Sequence, residues 1–346
     1  MDLPKRGATI NPGNRFERME VFVDEEFQSE NRNPKTMYLR DGTQTLISYT
    51  DSPDIGFGAS VNPYRGCEHG CAYCYARPYH EYLGFSAGID FETRIMVKTA
   101  APEILRGELS SPSWRPQPLA MSGVTDCYQP VERKLQITRR CLQVLAAFRN
   151  PVTIVTKNHL VTRDLDILRE LAEVQAACVN LSITTLDAGL ARRLEPRASL
   201  PGHRLEAIER LNSEGIPAGV LVAPVIPGLN DHEIPSILRA ARRAGAGSAD
   251  YTLLRLPFGV KDIFSAWLAE HLPEARQRIL GRIRDMRGGA LNDSRFGTRM
   301  RGEGAQAENI RRLFAVSAAR EGFDERSMPL STASFRNPAG QQLELL

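Results

Sequence analysis

Short apolar or β-branched runs recur through the middle of the chain: Phe57–Val61, Leu119–Thr125, Val152–Thr156, Val179–Thr185, Ala218–Val225 and Asp250–Leu256. Each has the length of a strand, and between most of them apolar residues return with the helical period. Leu135, Leu142 and Leu145 can share one helix face, as can Leu165, Leu168, Leu171 and Ala172, while Leu205, Ile208 and Leu211 form a third stripe. These stripes read as core. Strand alternating with helix predicts an α/β fold with a parallel sheet and crossover helices. Six such repeats over 57–260 suit an open or incomplete barrel better than a closed TIM barrel. In either architecture chemistry gathers at the carboxyl ends of the strands.

The flanks read differently. The first 50 residues are polar, with turn signals at Asn11-Pro12-Gly13, Asn33-Pro34 and Asp41-Gly42. They predict an N-terminal arm over 1–56 rather than a domain. Residues 261–346 open with helical signals and then turn arginine-rich, which predicts a C-terminal extension. Between 276 and 320 stand 11 Arg, no Lys and four acids, a local balance of +7. The whole 346-residue chain carries +3, so the remainder holds −4. Arginines interleaved with Gly288, Gly289, Gly297, Gly302 and Phe296 suit phosphate recognition and make nucleic acid a candidate partner. A solvated basic face is the alternative.

An apolar share of 42% and a charged share of 25% are those of a globular protein. They exclude collagen, disorder throughout and a disulfide-dense scaffold. The N-terminus lacks the apolar core of a signal sequence, and the most apolar stretch, Ala218–Ile226, is far short of the roughly 20 residues of a spanning helix. The expectation is a cytoplasmic protein without membrane contact.

Three of the six cysteines, Cys67, Cys71 and Cys74, crowd into eight residues as Cys-x3-Cys-x2-Cys, on a loop with Gly66 and Gly70 just past the first predicted strand. Three thiolates so placed can bind three irons of a [4Fe–4S] cube and leave the fourth open to a ligand. A zinc site completed by His69 or His80, or a plain buried loop, is the alternative, although no second cysteine pair is present. Cys141 and Cys178 sit in apolar stretches and read as core. Cys127 is bordered by Asp126, Tyr128 and Gln129 and is a candidate for function. Polar residues also stand where strands end. Ser122, Thr125 and Asp126 close the second predicted strand and suit an ammonium group. Lys157 ends the third and suits a carboxylate. Ser182 and Thr184 alternate on the fourth and share one face.

The cysteine spacing, with Tyr73 before the last cysteine, resembles the signature of the radical S-adenosylmethionine (SAM) superfamily. Further segments sharpen the resemblance to the branch containing spore photoproduct lyase. They are Ser122-Gly123-Val124-Thr125-Asp126, Val155-Thr156-Lys157, Leu181-Ser182-Ile183, Glu195-Pro196-Arg197, Arg204-Leu205-Glu206-Ala207 and Val222-Ala223-Pro224-Val225. The resemblance implies a partial (βα)6 TIM-type barrel as a radical SAM core over 57–260, with one [4Fe–4S] cluster on Cys67, Cys71 and Cys74. SAM would chelate the open iron and, on reduction, give methionine and a 5′-deoxyadenosyl radical that takes hydrogen from a substrate. It further implies that Ser122, Thr125 and Asp126 contact the methionine end of SAM, with Lys157 as its carboxylate counter-ion. Ser182 and Thr184 would meet the ribose, the Tyr73 backbone the adenine edge, and Ala223 an apolar adenine wall. A reductant such as flavodoxin or ferredoxin is implied as electron source. The lyase needs a cysteine on strand two to return hydrogen, and that position is Gly123 here. The nearest thiol is Cys127. This departure counts against thymine-dimer repair and leaves the substrate open, a nucleic-acid base among the candidates. A nucleic-acid-binding protein with a structural metal site and an idle barrel is the alternative.

Overall fold

The structure, a computed structural model, describes residues 6–16, 35–323 and 330–338. In chain order its strands are β1 (Met37–Arg40), β2 (Ile47–Tyr49), β3 (Ala59–Val61), β4 (Tyr64–Arg65), β5 (Arg94–Val97), β6 (Leu119–Met121), β7 (Val152–Thr156), β8 (Ala177–Ser182), β9 (Ala218–Val225) and β10 (Ser248–Leu253). Seven of them form one sheet in the order β10-β9-β8-β7-β6-β3-β2. From β3 to β10 the neighbours are parallel, and β2 lies antiparallel to β3 at the edge. The six expected repeats are thus present as an open parallel sheet. A small second sheet orders β1-β5-β4.

Helices α1 (Ala101–Ser110), α2 (Ile137–Phe148), α3 (Leu165–Glu173), α4 (Pro201–Ser213) and α5 (Ile234–Arg243) make the crossovers. Their apolar stripes face the sheet. Leu142, Leu145, Leu168, Ile208, Leu211, Ile237 and Leu238 are all fully buried. Each contributes about 1.5–3 kcal/mol by leaving water. Leu135 departs from its expected stripe. Gln136 takes φ +52°, which separates the short helix Glu132–Leu135 from α2 and leaves Leu135 38% exposed. Likewise β6 stops at Met121 rather than Thr125, because Ser122 turns the chain with φ +81°.

Helices α6 (Val260–His271), α7 (Pro273–Asp285) and α8 (Gly304–Arg320) follow β10. Phe264, Trp267, Leu280 and Ile283 share one apolar cluster with Cys71, Ala72 and Tyr73, so α6 and α7 back the cysteine loop. Most of the arginines between 276 and 320 have internal partners. Arg287 is buried and donates to the carbonyls of Leu254, Thr298 and Arg299. Arg295 pairs with Asp293 and Glu303, Arg299 with Asp54, Arg301 with Asp250, and Arg311 and Arg312 with Glu308.

The expected arm is described at 6–16 and 35–56, and its remaining residues lie outside the described residues. Residues 6–16 bond to the segment after the cysteine loop, and β2 adds an edge to the main sheet. No helix among the described residues is long and apolar enough to cross a membrane.

Candidate functional site

The cysteine loop leaves the carboxyl end of β3 and is shaped by two left-handed glycines, Gly66 (φ +78°) and Gly70 (φ +66°). Cys67 and Cys71 are buried and Cys74 is half-buried, and none is in a disulfide. The backbone N–H groups of His69 and Ala76 are directed at the sulfurs of Cys67 and Cys74. Burial pushes all three thiols up. Thiols so desolvated give up their protons readily only to a cation that bonds sulfur. Three such sulfurs on one short loop, two of them facing N–H donors, fit an iron–sulfur group.

The loop is held from several sides. Glu68 is buried; its carboxylate accepts the Val131 amide at 2.7 Å and pairs with Arg197 at 3.0 Å. Gln129 takes the Glu68 amide at 2.9 Å and donates to the Gly66 carbonyl at 3.2 Å. Arg77, fully buried, donates Nε and Nη2 to the Cys71 carbonyl at 3.1 and 2.8 Å. His69 meets Asn158 at 3.2 Å and Asp126 at 3.3 Å.

Across from the loop, the ends of β7, β8 and β9 converge on Lys157. Its Nζ lies 2.6 Å from Ser182 Oγ, 3.3 Å from Thr184 Oγ1, 3.0 Å from the Ala223 carbonyl and 3.3 Å from Glu195. Glu195 is buried and also takes Arg204 and the Tyr73 hydroxyl. Burial alone pushes the Glu195 carboxyl up, but Arg204 and Lys157 outweigh it and hold the group well below the usual carboxylate range. Tyr73 is pushed up by burial and by that same carboxylate, so it remains a phenol.

The residues expected from sequence therefore divide. Tyr73, Lys157, Ser182, Thr184 and Ala223 come together, although Ala223 offers its carbonyl rather than a methyl wall. Ser122, Thr125 and Asp126 stand at the neighbouring strand end with their polar groups turned inward. Ser122 Oγ accepts the Cys127 amide, and Thr125 Oγ1 donates to the Tyr64 carbonyl. Asp126 accepts from Thr156 Oγ1 at 2.8 Å, the Lys157 amide at 2.8 Å and the Tyr128 amide at 2.9 Å. Burial raises the Asp126 carboxyl, but His69 and these donors bring it below its ordinary value. Cys127 is fully buried beneath this turn, and burial lifts its thiol far up. Sequence reasoning undervalued Glu195 and Arg204 and missed Asn230, whose Nδ2 donates to the Thr184 and Pro224 carbonyls.

The mouth carries an aromatic rim. Tyr75, next to Cys74, is 42% exposed and donates to the Gly123 carbonyl at 2.9 Å. The Arg255 guanidinium lies 5.4 Å from its ring centre. Arg15 covers Phe258 at 3.7 Å and Phe16 at 5.0 Å, and the Phe16 ring continues to Tyr82 and on to Tyr79. Arg299 lies 4.5 Å over Phe296.

His80 gives a stability test. Its ring is 1% exposed between Phe85 and Phe91, and burial pushes its pKa down from 6.5 to about 4. Above pH 6.5 the ring is neutral whether folded or unfolded; between 6.5 and 4 only the unfolded chain takes the proton. Stability therefore falls as the pH is lowered from 6.5 to 4, by about 3 kcal/mol from this group. Urea unfolding of His80→Leu is expected to depend less steeply on pH there than the wild type.

A cysteine loop at the ends of an open parallel sheet, facing a polar cradle on the neighbouring strand ends, defines a class. The chain belongs to the Radical SAM superfamily, whose model matches residues 61–241. Uncharacterized proteins of Mycobacterium tuberculosis and Mycobacterium bovis are 38% identical over 226 residues. That is 65% of this chain and 66% of theirs, so the chain spans just under two thirds of their length. A protein of Methanocaldococcus jannaschii is 28% identical over 50% of this chain and 62% of its own. Among solved structures, spore photoproduct lyase complexed with dinucleoside spore photoproduct has a TM-score of 0.60 at 15% identity, over 82% of this chain and 79% of that one. A variant lyase with bound AdoMet and dinucleoside spore photoproduct gives 0.60 at 16%, over 90% and 89%. At such identity the likeness is one of fold.

Proposed function

We propose that this protein is a radical SAM enzyme that directs its chemistry at a base of single-stranded or extruded nucleic acid. In this reading Cys67, Cys71 and Cys74 hold a [4Fe–4S] cluster. SAM lies between that loop and the cradle of Tyr73, Lys157, Ser182, Thr184 and Ala223, with Ser122, Thr125 and Asp126 shaping the neighbouring turn through their inward bonds. When bound, the reduced cluster and SAM supply a 5′-deoxyadenosyl radical. The chain's own residues bind and orient. Lys157, held by Glu195 and Ser182, presents an ammonium that can turn to a ligand carboxylate, while Asp126 fixes the strand end through backbone amides. The apolar backing of Phe264 and Trp267 keeps water from the loop's far side. A hydrogen-returning role for Cys127 requires the Ser122 turn to open, because the thiol is enclosed. Flavodoxin or ferredoxin is the proposed class of reductant.

The observation that carries the substrate class is the rim, where exposed rings alternate with guanidinium groups from Arg15, Arg255 and Arg299. Rings stack on any base and arginines track phosphate, which suits a strand with unpaired bases. Arg15 and Arg299 also pair with Glu81 and Asp54, and most of the extension's remaining arginines are likewise occupied by acids and carbonyls, so in this reading those support the rim. Binding of labelled oligo(dT), followed by anisotropy, is expected to weaken about 10-fold in Tyr75→Ala and in Arg255→Ala. Affinity should also fall as salt rises. Absence of binding at low salt would overturn the substrate class.

A further inference from the structure

Residues 6–16 run against the cysteine loop at its tightest point. Gly7 passes so close to Gly70 that a Cβ on Gly7 would lie 1.5 Å from the Gly70 carbonyl oxygen. A Cβ on Gly70 would in turn meet Glu92 Oε2 at 2.7 Å. Here the missing side chains are a steric requirement. The Gly7 amide donates to Glu92 Oε2 at 3.1 Å and the Ala8 amide to Oε1 at 2.8 Å.

Glu92 is fully buried and pairs with the equally buried Arg77 at 2.5 Å. Arg77 carries the contact onward to the Cys71 carbonyl, and its Nη1 reaches the Ala87 and Gly88 carbonyls. A buried ion pair is weak evidence for stability in itself, because desolvation offsets most of the attraction. This one joins the arm's amides to the backbone of a cysteine. Farther along, Asn11 accepts the Ile89 amide at 3.0 Å, Asn14 donates to the Glu81 carbonyl at 2.9 Å, and Arg15 pairs with Glu81 at 2.6 Å.

We propose that residues 6–16 form a strap that positions the cysteine loop for its iron–sulfur group. Gly7, Ala8, Glu92 and Arg77 are its positioning residues. They fix the Cys71 backbone without bonding to sulfur, and Gly7 covers the loop between Cys67 and Cys71. The strap rests on the reading that Cys67, Cys71 and Cys74 hold a cluster.

Three full-length variants test it. Ala8→Pro removes the shorter of the two amide bonds that Glu92 accepts from the strap, Gly7→Val forces the strap off Gly70, and Ala8→Gly keeps the amide as a control. Each is reconstituted anaerobically with iron and sulfide, and its thermal melt before reconstitution reports folding. Iron and sulfide content, the electron paramagnetic resonance spectrum after dithionite reduction, and the rate of bleaching in air report the cluster. Ala8→Pro and Gly7→Val are expected to lose the cluster about 10-fold faster with an altered spectrum, as removal of an outer partner of a metal ligand does. Ala8→Gly should match wild type. If Gly7→Val fails to fold, Ala8→Pro decides. Wild type that takes up no iron and sulfide would overturn the cluster reading, and the strap with it. A loaded wild type whose Ala8→Pro counterpart shows the same spectrum and bleaching rate would overturn the strap alone.

Discussion

Cys71→Ala is expected to lose the brown absorbance of reconstituted protein and to release 5′-deoxyadenosine more than about 100-fold more slowly than wild type, with dithionite and SAM present. Cys71 is the middle cysteine of the loop and, in the proposed reading, the middle cluster ligand. Its carbonyl is gripped by Arg77, and its neighbour Ala72 is bonded through N–H to the Leu194 carbonyl at 3.0 Å. Cys127 is enclosed beneath the Ser122 turn and Cys141 is buried in the core on α2, so neither is placed to replace it. With two sulfurs left, an iron cube has lost one of three anchors. The substitution removes one sulfur atom from a folded loop, so the melting temperature without iron should hardly move. Release at the wild-type rate would take the cysteine loop out of the chemistry.

The second large effect is on folding. Glu195→Ala is expected to lower unfolding stability by about 3–5 kcal/mol, because it leaves Arg204 buried with no counter-charge. Arg204 would keep its bonds to the Ser182 and Ser199 carbonyls but not its carboxylate. Replacing both partners with apolar residues, as in Glu195→Leu with Arg204→Met, should recover much of that loss. The double variant still leaves Lys157 without Glu195. If it folds well yet binds SAM poorly, the carboxylate positions the lysine as well as stabilising the fold. Acid should act through the same group. Its folded pKa is depressed, so its stabilising contribution is complete above the ordinary carboxylate range and is lost as pH falls below it. Urea titrations from about pH 5 down to about pH 3 should show a shallower decline in Glu195→Gln.

Local pattern carried the sheet well. Strands β7 and β9 have the limits their sequences suggest, because β7 is an uninterrupted β-branched run and β9 an unbroken run without a polar side chain. It failed where one residue's backbone decides. Ser122 and Gln136 take positive φ without being glycine, so nothing in their side chains announces the turn. Strands β1 and β2 are edges of four and three residues, largely exposed, too short to show a period within the polar arm around them.

The site shows the same division. Lys157, Ser182 and Thr184 were legible because alternation along a strand fixes which side chains share a face. Glu195 with Arg204, and Arg77 with Glu92, meet through loop geometry that no period encodes. The available signal was charge within otherwise apolar or glycine-rich surroundings, which demands a partner. Asp126 was legible as important, yet its bonds run inward to His69 and to backbone amides.

The wall behind Cys71 and Tyr73 bears on how such chemistry can be transplanted. The family match ends at residue 241, but Phe264, Trp267, Leu280 and Ile283 lie beyond it, and Arg287 reaches back to the Leu254 carbonyl. A graft of the matched segment alone would carry every cysteine and the whole cradle while leaving their seat behind. The recipient scaffold would have to supply a new apolar wall before the ligands could hold their places. The heritable module is therefore larger than its signature, and exchange between relatives should succeed at joints outside the helices that follow β10.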